Sequence, residues 1–454
     1  MILRSLKIVL ALIILCLPAG AQNILRSEFV PYQLRKDAEA RSRTAEDSII
    51  EFNPKAVATA FGMIRREQVI DVPQSWSDVV AMIHIEPTGS AYTLSVNDRK
   101  VVECEDGRSP RQYDISSYLA LGENLIALTT RNSALAQLEE GLDQLQQAPL
   151  TGSYIYTQRR LRILDYDLTL EELDNGIDAQ LFIDVIVENR FNFPETIEIG
   201  FDLYDPAGKL LDFSTAQSTI EGNSVDTIRF KPYLYGASKY RWDPSSPSSM
   251  RVIGGANRRY ADQMLYSVML FTKNDGSSSD YIPFSVGFSL PKYEDGALRA
   301  WDRKIDLSAT SYNALGDKKQ TETELRAIRQ KGYNTVEPSY PQPIWFYELC
   351  DKIGLYVIEQ AAINAPTAAD DKRIGGTPSN DPALAREYLS RLQAAYYRTR
   401  NFTCIVAYSL GSPSGNGYNM YKAYEWLKSV ETRRPVIYKG AAGEWNSDPL
   451  TIEY

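Results

Sequence analysis

Apolar and polar residues alternate in several short runs between Asp71 and Ala127. The runs read VVAMIHI, AYTLSVN, KVVEC and NLIAL, and turn-forming residues such as Pro87-Thr88-Gly89 separate them. A period of two places apolar side chains on one face of a strand, and closely spaced strands favour antiparallel pairing. The pattern predicts a β-sandwich over residues 22–160.

The alternation resumes in AQLFIDVIVEN, IEIGFDLYD and DQMLYSVMLFT. These runs predict a second, immunoglobulin-like β-sandwich over residues 161–290.

From residue 291 onward, helical stretches such as TETELRAIRQKG alternate with short apolar runs such as LYVIEQA and CIVAYSLG. That alternation predicts βα units around a parallel sheet. Residues 291–454 number 164, whereas a closed eight-stranded barrel takes about 250, so we expect an incomplete TIM-barrel-like domain.

The segment SALAQLEEGLDQLQQAP carries leucines at 135, 138, 142 and 145, which share one face of a helix, and Ser133 is a suitable N-terminal cap. Two interpretations stay open. The helix packs on the first sandwich, or it binds a partner or covers a site.

Residues 1–21 read as a secretory signal peptide, because two basic residues precede an apolar stretch and Ala19-Gly20-Ala21. A membrane anchor is the alternative. Cleavage would remove Arg4 and Lys7 and move the formal charge from −9 to −11. The chain has no run of basic residues of the kind that binds a phosphate backbone, so we expect no nucleic-acid partner. We expect export across the inner membrane to the periplasm or the outer membrane, with peripheral contact with the latter.

Few residues in the chain suit metal or nucleophilic chemistry. The single histidine, His84, lies in an alternating run and is expected to be a strand residue, which leaves no His-rich metal site and no Ser-His-Asp triad. We predict no cofactor and no metal. Of the cysteines beyond the leader, Cys350 and Cys404 could form a disulfide, although buried free thiols fit better.

Three long stretches resemble glycoside hydrolase family 2, the family of β-galactosidase-like enzymes. Residues 72–128 resemble its sugar-binding jelly roll, residues 332–364 its second and third barrel strands, and residues 409–440 its fourth and fifth. The resemblance implies a jelly roll, an immunoglobulin-like sandwich and a barrel.

The catalytic residues that the resemblance implies are missing from this chain. In the family the loop after the fourth strand reads about GNESG, with the glutamate as general acid/base. Here Ser412 stands for the asparagine and Pro413 for the glutamate, and proline transfers no proton. Asn364 stands where the large galactosidases have a metal-binding carboxylate. The nucleophile belongs to the end of the seventh strand, beyond the resemblance here.

Two other carboxylates are candidate substitutes. Glu337 and Glu359 lie near the ends of predicted neighbouring strands, where barrel enzymes place their chemistry. Solvated or ion-paired structural roles are the competing interpretation. For sugar binding, the candidates are Trp76 and Trp242, as stacking surfaces, together with Ser412 and Asn364.

Three functions remain open on the sequence. The favoured one is a catalytically inactive binding or scaffold subunit of an extracytoplasmic assembly. The alternatives are a carbohydrate-binding protein and a glycosidase with atypical carboxylates. An incomplete parallel sheet exposes backbone groups at its edges, so we expect a protein partner or a second copy to cover them.

Overall fold

The computed structural model describes residues 23–44, 49–139, 151–244, 250–252, 258–274, 277–289, 291–300, 303–365, 371 and 373–454. The predicted signal peptide and the second half of the leucine-striped segment lie outside the described residues. No helix in the described part of the chain is both long and apolar enough to cross a membrane.

The first sandwich consists of two antiparallel sheets, ordered β1-β9-β4-β7 and β2-β3-β8-β5-β6. His84 lies in β4 and is buried. A short helix, α1 at Arg35–Ala40, precedes the sandwich. The strands are β1 Ile50–Glu51, β2 Lys55–Ala60, β3 Met63–Val72, β4 Val79–Ile85, β5 Ala91–Val96, β6 Arg99–Cys104, β7 Arg111–Asp114, β8 Gly122–Arg131 and β9 Tyr154–Arg159.

The second sandwich packs the sheet β10-β11-β14, with β15 beside β11, against β13-β12-β18-β19, and β16 pairs with β17 in a hairpin. Strand β11 has alternate residues fully buried, which matches its alternating sequence. The strands are β10 Leu161–Glu172, β11 Ala179–Asn189, β12 Glu195–Tyr204, β13 Leu210–Ile220, β14 Ser224–Phe230, β15 Tyr233–Leu234, β16 Met250–Val252, β17 Arg258–Tyr260, β18 Leu265–Asn274 and β19 Ser277–Gly287.

The C-terminal domain is built on a parallel sheet with the order β27-β26-β25-β24-β23-β28. A small antiparallel sheet, β20-β21-β22, precedes it. The elements are β20 Lys292–Glu294, β21 Ala297–Ala300, β22 Arg303–Lys304, β23 Leu307–Ser311, α2 Lys318–Gln330, β24 Thr335–Glu337, α3 Ile344–Ile353, β25 Tyr356–Gln360, α4 Ala385–Thr399, β26 Ile405–Ser409, α5 Tyr418–Val430, β27 Val436–Ile437 and β28 Ile452–Glu453.

Local signals in the sequence explain where these helices begin and end. The side chain of Asp317 accepts a hydrogen bond from the Gln320 backbone N–H and so caps α2. Gly354 ends α3 at φ 79°, a conformation in which a side chain would be strained. All five residues of β25 and of β26 are buried, as expected for parallel strands covered on both faces. The predicted fold class, two sandwiches followed by an incomplete barrel, is confirmed.

The outer sides of β23 and β27, which were expected to be bare, are both bonded to other parts of the chain. Strand β28 pairs in parallel with β23, with Leu307 opposite Ile452. At the other edge, the Val436 N–H donates to Asp448 Oδ2 at 2.7 Å and the Val436 carbonyl accepts from the Asp448 N–H at 2.7 Å. The Tyr438 N–H donates to Ser447 Oγ at 2.9 Å. The edges expected to be bare, at β23 and β27, are thus bonded within the chain, and β28 becomes the edge strand; the predicted partner stays a prediction.

Trp242 is a core residue of the barrel domain, which corrects its prediction as a sugar-stacking surface. Its side chain is 0% exposed, and its indole N–H donates to the Asp351 carbonyl at 2.7 Å. The Trp242 backbone N–H donates to the Phe288 carbonyl of the second sandwich at 2.8 Å, so the ring lies between that sandwich and α3. A buried ring with its N–H bonded is a packing anchor.

Cys350 and Cys404 are buried free thiols, so they do not form a disulfide. Burial raises the pKa of both thiols well above its ordinary value. Cys404 Sγ faces the Tyr347 carbonyl at 3.6 Å. The prediction of buried free thiols is confirmed for this pair.

Candidate functional site

Glu337 ends strand β24 and faces the interior of the curved sheet. Lys439, after β27, places Nζ 2.9 Å from Glu337 Oε2, and the Tyr454 hydroxyl, after β28, donates to the same oxygen at 2.6 Å. The Lys439 ammonium also lies 4.1 Å from the centre of the Tyr454 ring. Elements from both edges of the sheet thus converge on one carboxylate. Its oxygens thus link residues that follow the two edge strands, β27 and β28.

Glu359, in β25, lies on the opposite face of the sheet from Glu337. Strand β24 pairs with β25 so that Val336 is beside Val357. Because side chains alternate along a strand, Val336, Val357 and Glu359 share one face and Glu337 points to the other. The sequence placed both glutamates near strand ends but gave no register between the strands.

The environment of Glu359 is the layer between the sheet and α3. The Tyr347 hydroxyl donates to Glu359 Oε2 at 2.8 Å, and the carboxyl group is 0% exposed. Burial raises the pKa of Glu359 to about 8, although the Tyr347 hydrogen bond and the Arg398 charge act in the opposite direction. A retaining glycosidase needs its two carboxyl groups about 5–5.5 Å apart across one sugar. On opposite faces of the sheet, Glu337 and Glu359 do not form such a pair, which favours the competing structural interpretation of these two candidates.

The loop after β26, residues 410–417, has no side chain that titrates near neutral pH. Pro413 is exposed at its tip. Ser412 Oγ accepts a hydrogen bond from Gln360 Nε2 at 2.9 Å, and the Ser412 N–H donates to the Ile363 carbonyl at 2.8 Å. The loop approaches Ile363, just beyond β25, so closely that a Cβ on Gly411 would lie 2.8 Å from the Ile363 oxygen. It can position a hydroxyl but cannot transfer a proton at its tip.

Asn364 is covered by the segment that leaves the first sandwich. The Asn364 N–H donates to the Leu138 carbonyl at 2.8 Å, and its side-chain amide donates to the Tyr340 hydroxyl at 3.0 Å. Leu138 is fully buried in the core of the barrel domain. The described part of the leucine-striped segment therefore packs its leucines on the barrel domain, while Ser133 and Ala134 bond to Glu105 of the first sandwich. It forms a short 3₁₀ helix at Ala136–Leu138 in place of the predicted α-helix.

A buried ion pair, which sequence reasoning missed, anchors this segment. Glu139 Oε1 lies 2.7 Å from an Arg391 nitrogen, and both side chains are 0% exposed. Burial raises the pKa of Glu139 to about 8, against the opposing charge of Arg391. Arg391 also donates to the Ala362 carbonyl at 2.7 Å and pairs with Glu387 at 2.8 Å. Only the spacing of Glu387 and Arg391 on one helix face was visible in the sequence.

A second charged cluster surrounds His84, with Glu28 and Glu86 as possible metal ligands. His84 Nε2 lies 3.2 Å from Glu86 Oε1 and 3.9 Å from Glu28 Oε1. Burial alone would lower the pKa of His84, but the two carboxylates outweigh it and raise the pKa. Arg398 already neutralises Glu28 at 2.6 Å, so a metal ion would have to displace a guanidinium group. The cluster fits a structural clamp between the N-terminal segment, the first sandwich and α4.

Trp76 lies in a short 3₁₀ helix, Gln74–Trp76, and is partly buried against the core of the first sandwich. It lines a cleft between the two sandwiches, on residues distinct from those at the barrel strand ends. The structure therefore does not bring together the predicted binding residues. At the barrel, Ser412 bonds to Ile363, the neighbour of Asn364 in the chain, whereas Trp76 lies in the first sandwich and Trp242 is buried.

Sequence and structure comparisons define the family. The model described as "Glycosyl hydrolases family 2, sugar binding domain" matches residues 29–148, and that described as "Glycosyl hydrolases family 2, TIM barrel domain" matches residues 315–453. The architecture of sandwich, sandwich and half-barrel agrees with both matches. The chain belongs to glycoside hydrolase family 2.

The relatives extend this match over most of the chain. A protein named "Beta-galactosidase" from Priestia megaterium is 24% identical over 420 residues, covering 89% of this chain and 39% of the relative. Another from Vibrio cholerae is 26% identical over 373 residues, covering 79% and 34% respectively. The chain thus spans between about a third and two fifths of the length of these curated relatives.

Solved structures share the fold. A β-glucuronidase of Bacteroides uniformis superposes with a TM-score of 0.65 at 15% identity, covering 83% of this chain and 46% of its own. A β-glucuronidase of Parabacteroides merdae, solved with glycerol in its active site, gives a TM-score of 0.65 at 13% identity, covering 86% and 50%. At this identity the likeness concerns the fold alone.

Proposed function

We propose that this chain is a non-hydrolytic member of glycoside hydrolase family 2 that acts by binding, as a subunit of an extracytoplasmic assembly. The observation that carries the proposal is the placement of Glu337 and Glu359 on opposite faces of the sheet. Glycoside hydrolysis uses two carboxyl groups around one bond. Here one candidate is engaged by Lys439 and Tyr454, the other is buried beneath α3, and the acid/base position of the family is Pro413.

Hydrolysis assays test the catalytic half of the proposal. The purified chain is incubated with nitrophenyl β-galactoside and nitrophenyl β-glucuronide, chosen because the relatives and structural neighbours carry those names. We expect no turnover above a no-protein control, and no change in Glu337→Gln or Glu359→Gln. Turnover that either substitution abolishes would instead establish a glycosidase with atypical carboxylates.

The binding half of the proposal needs a surface, and strand β2 supplies one. All six residues of Lys55–Ala60 are exposed, and β2 lies at the edge of its sheet among the described strands. Phe61, in the turn that follows, is 98% exposed. An exposed, mainly apolar edge strand favours pairing with another strand. The proposed partner is a protein that adds a strand to β2.

Affinity purification from the native envelope in mild detergent tests this surface. We expect a stoichiometric partner that is lost from Phe61→Ser but retained by Leu315→Ser, a matched control that is 94% exposed on the barrel domain. A monomeric chain without a partner, or equal recovery with both variants, would count against the scaffold role. Recovery of the chain in the cytoplasmic fraction would count against the extracytoplasmic location, whose support is the leader-like residues 1–21.

A further inference from the structure

Strand β13, Leu210–Ile220, is an edge of the second sandwich. In the described part of the chain it has β12 on one side and no strand on the other. The opposite edge of the same sheet, β19, is covered by the chain itself, because Tyr32 and Tyr281 exchange two backbone hydrogen bonds at 2.8 Å. An uncovered edge presents unpaired N–H and C=O groups to which another strand can bond.

The uncovered stretch lacks the features with which proteins usually prevent strand addition, namely charged residues, prolines and bulges. Residues 213–220 contain no charged residue and no proline. Their register with β12 is unbroken, since the bulge of β13 lies at Leu211. Two other edge strands, β6 and β14, carry at least two charged residues each. Strand β13 is therefore more open to pairing than they are.

The backbone of this stretch points towards the open side at every second residue. The Phe213 N–H donates to Asp212 Oδ1 at 2.8 Å, which directs this amide away from β12. Because the two backbone groups of a residue point to the same side in an antiparallel ladder, and neighbours alternate, the same holds for Thr215, Gln217 and Thr219. All four side chains are exposed, that of Phe213 by 68%. A second strand can bond here once the Asp212 carboxylate rotates aside.

The charges that flank the stretch suit a second copy of the chain. Lys209 and Glu221 are exposed, each lies six residues from Thr215, and neither forms a salt bridge among the described residues. A two-fold axis at Thr215 places Lys209 of each copy opposite Glu221 of the other, and Phe213 beside Gln217 of the other. Parallel pairing would instead set Lys209 beside Lys209. The charges therefore select the antiparallel, two-fold arrangement.

From this geometry we infer that the protein forms a two-fold dimer in which two β13 strands pair antiparallel about Thr215. The two four-stranded sheets then join into one sheet of eight strands. A single strand pair is a small interface, so the dimer dissociates at concentrations in the micromolar range. The interface lies on the second sandwich, whereas the proposed partner surface at β2 lies on the first. The inference thus goes beyond the proposed function and does not depend on it.

Sedimentation of the purified whole chain, at loading concentrations from about 1 to 100 µM, tests the inference. We expect the mean mass to rise from that of the monomer towards that of the dimer. Thr215→Lys sets two ammonium groups face to face on the axis and should weaken the dimer at least about tenfold. The matched control is Thr59→Lys, at an exposed position of the edge strand β2, which should leave the dimer unchanged.

Charge exchange tests the register of the two strands. Lys209→Glu or Glu221→Lys sets like charges opposite each other and should weaken the dimer, while the double variant should restore it. Both positions are exposed, so the thermal unfolding midpoint should stay unchanged. A chain that is monomeric at every concentration, or a double variant that does not recover, would overturn the inference. A dimer lost in Thr59→Lys but kept in Thr215→Lys would also overturn it, by placing the second copy on β2.

Discussion

Lys439 Nζ lies 2.9 Å from Glu337 Oε2. Glu337 is in strand β24, whereas Lys439 follows β27, and strands β25 and β26 lie between them in the sheet. The contact requires the sheet to curve until its edge approaches its middle. Glu337 is 8% exposed and Lys439 45% exposed at their side chains. The carboxylate therefore depends on Lys439 and the Tyr454 hydroxyl for compensation of its lost hydration.

Lys439→Met should destabilise the chain by about 1–2 kcal/mol, because it leaves the Glu337 charge buried with one partner fewer. Glu337→Gln in the same chain should restore part of the loss. Urea unfolding followed by tryptophan fluorescence measures the free energy of unfolding. Lys319→Met, on the exposed face of α2, is the control and should change it by less than about 0.5 kcal/mol. Equal effects of the two lysine substitutions would show that the Glu337 contact contributes nothing.

Glu359 should make the chain less stable as the pH rises. Its pKa is about 8 in the fold and 4.5 in its ordinary state, so between these values the folded chain binds the extra proton. Stability from this group is complete below pH 4.5 and falls towards pH 8, by roughly 1.4 kcal/mol per pH unit at most. Glu359→Gln stays neutral, so its advantage over the unsubstituted chain should grow from pH 5 to pH 8.

The measurement is the urea midpoint of both chains at intervals of one pH unit. Glu171→Gln, at an exposed position, controls for the loss of one negative charge and should follow the unsubstituted chain. Glu139 and Asp351 also have raised pKa values and so add their own pH dependence to both chains. The difference in urea midpoint between Glu359→Gln and the unsubstituted chain therefore isolates the effect of Glu359. Parallel curves for Glu359→Gln and the unsubstituted chain would contradict the prediction.

Asp106 should act in the opposite sense, at acidic pH. Burial alone would raise the pKa of its carboxyl group, but Arg111 at 2.5 Å, with further hydrogen bonds, lowers it to about 2. A lowered pKa means that the stabilisation is present above the ordinary value near 3.8 and is lost as the pH falls towards 2.

Asp106→Asn should cost about 3–5 kcal/mol at pH 6, because it leaves Arg111 buried without its counter-ion. The cost should shrink as the pH approaches 2, where the unsubstituted chain loses the same charge. Thermal unfolding between pH 2 and pH 6 measures both effects, with the exposed Asp174→Asn as the control. A cost that does not change with pH would contradict the ion-pair explanation.

Trp242→Ala should destabilise the chain by about 3–5 kcal/mol, because it removes a fully buried aromatic side chain and leaves the Asp351 carbonyl without its donor. Trp445→Ala, at a half-exposed ring, should cost much less. Calorimetric unfolding of the three chains gives the comparison. Similar melting temperatures for both variants would show that Trp242 is not a packing anchor.

The two sandwiches and the βα alternation could be predicted from the sequence, because periods of 2 and 3.6 are local consequences of which side chains each element buries. The strand position of His84 and the free thiols of Cys350 and Cys404 followed from equally local chemistry. The loss of a proton-transferring residue in the 410–417 loop was also visible, since proline has no such group whatever surrounds it.

Other features depend on contacts between residues far apart in the chain, and only the tertiary structure decided them. The register between β24 and β25 separates Glu337 from Glu359, and no local pattern specifies a register. Asp448 and β28 cover edges that looked bare, because loops beyond the strands return to them. Trp242 is buried because another domain packs over it. Local periodicity specifies which face of an element is apolar, whereas the neighbour that covers that face is set by the packing of the whole chain.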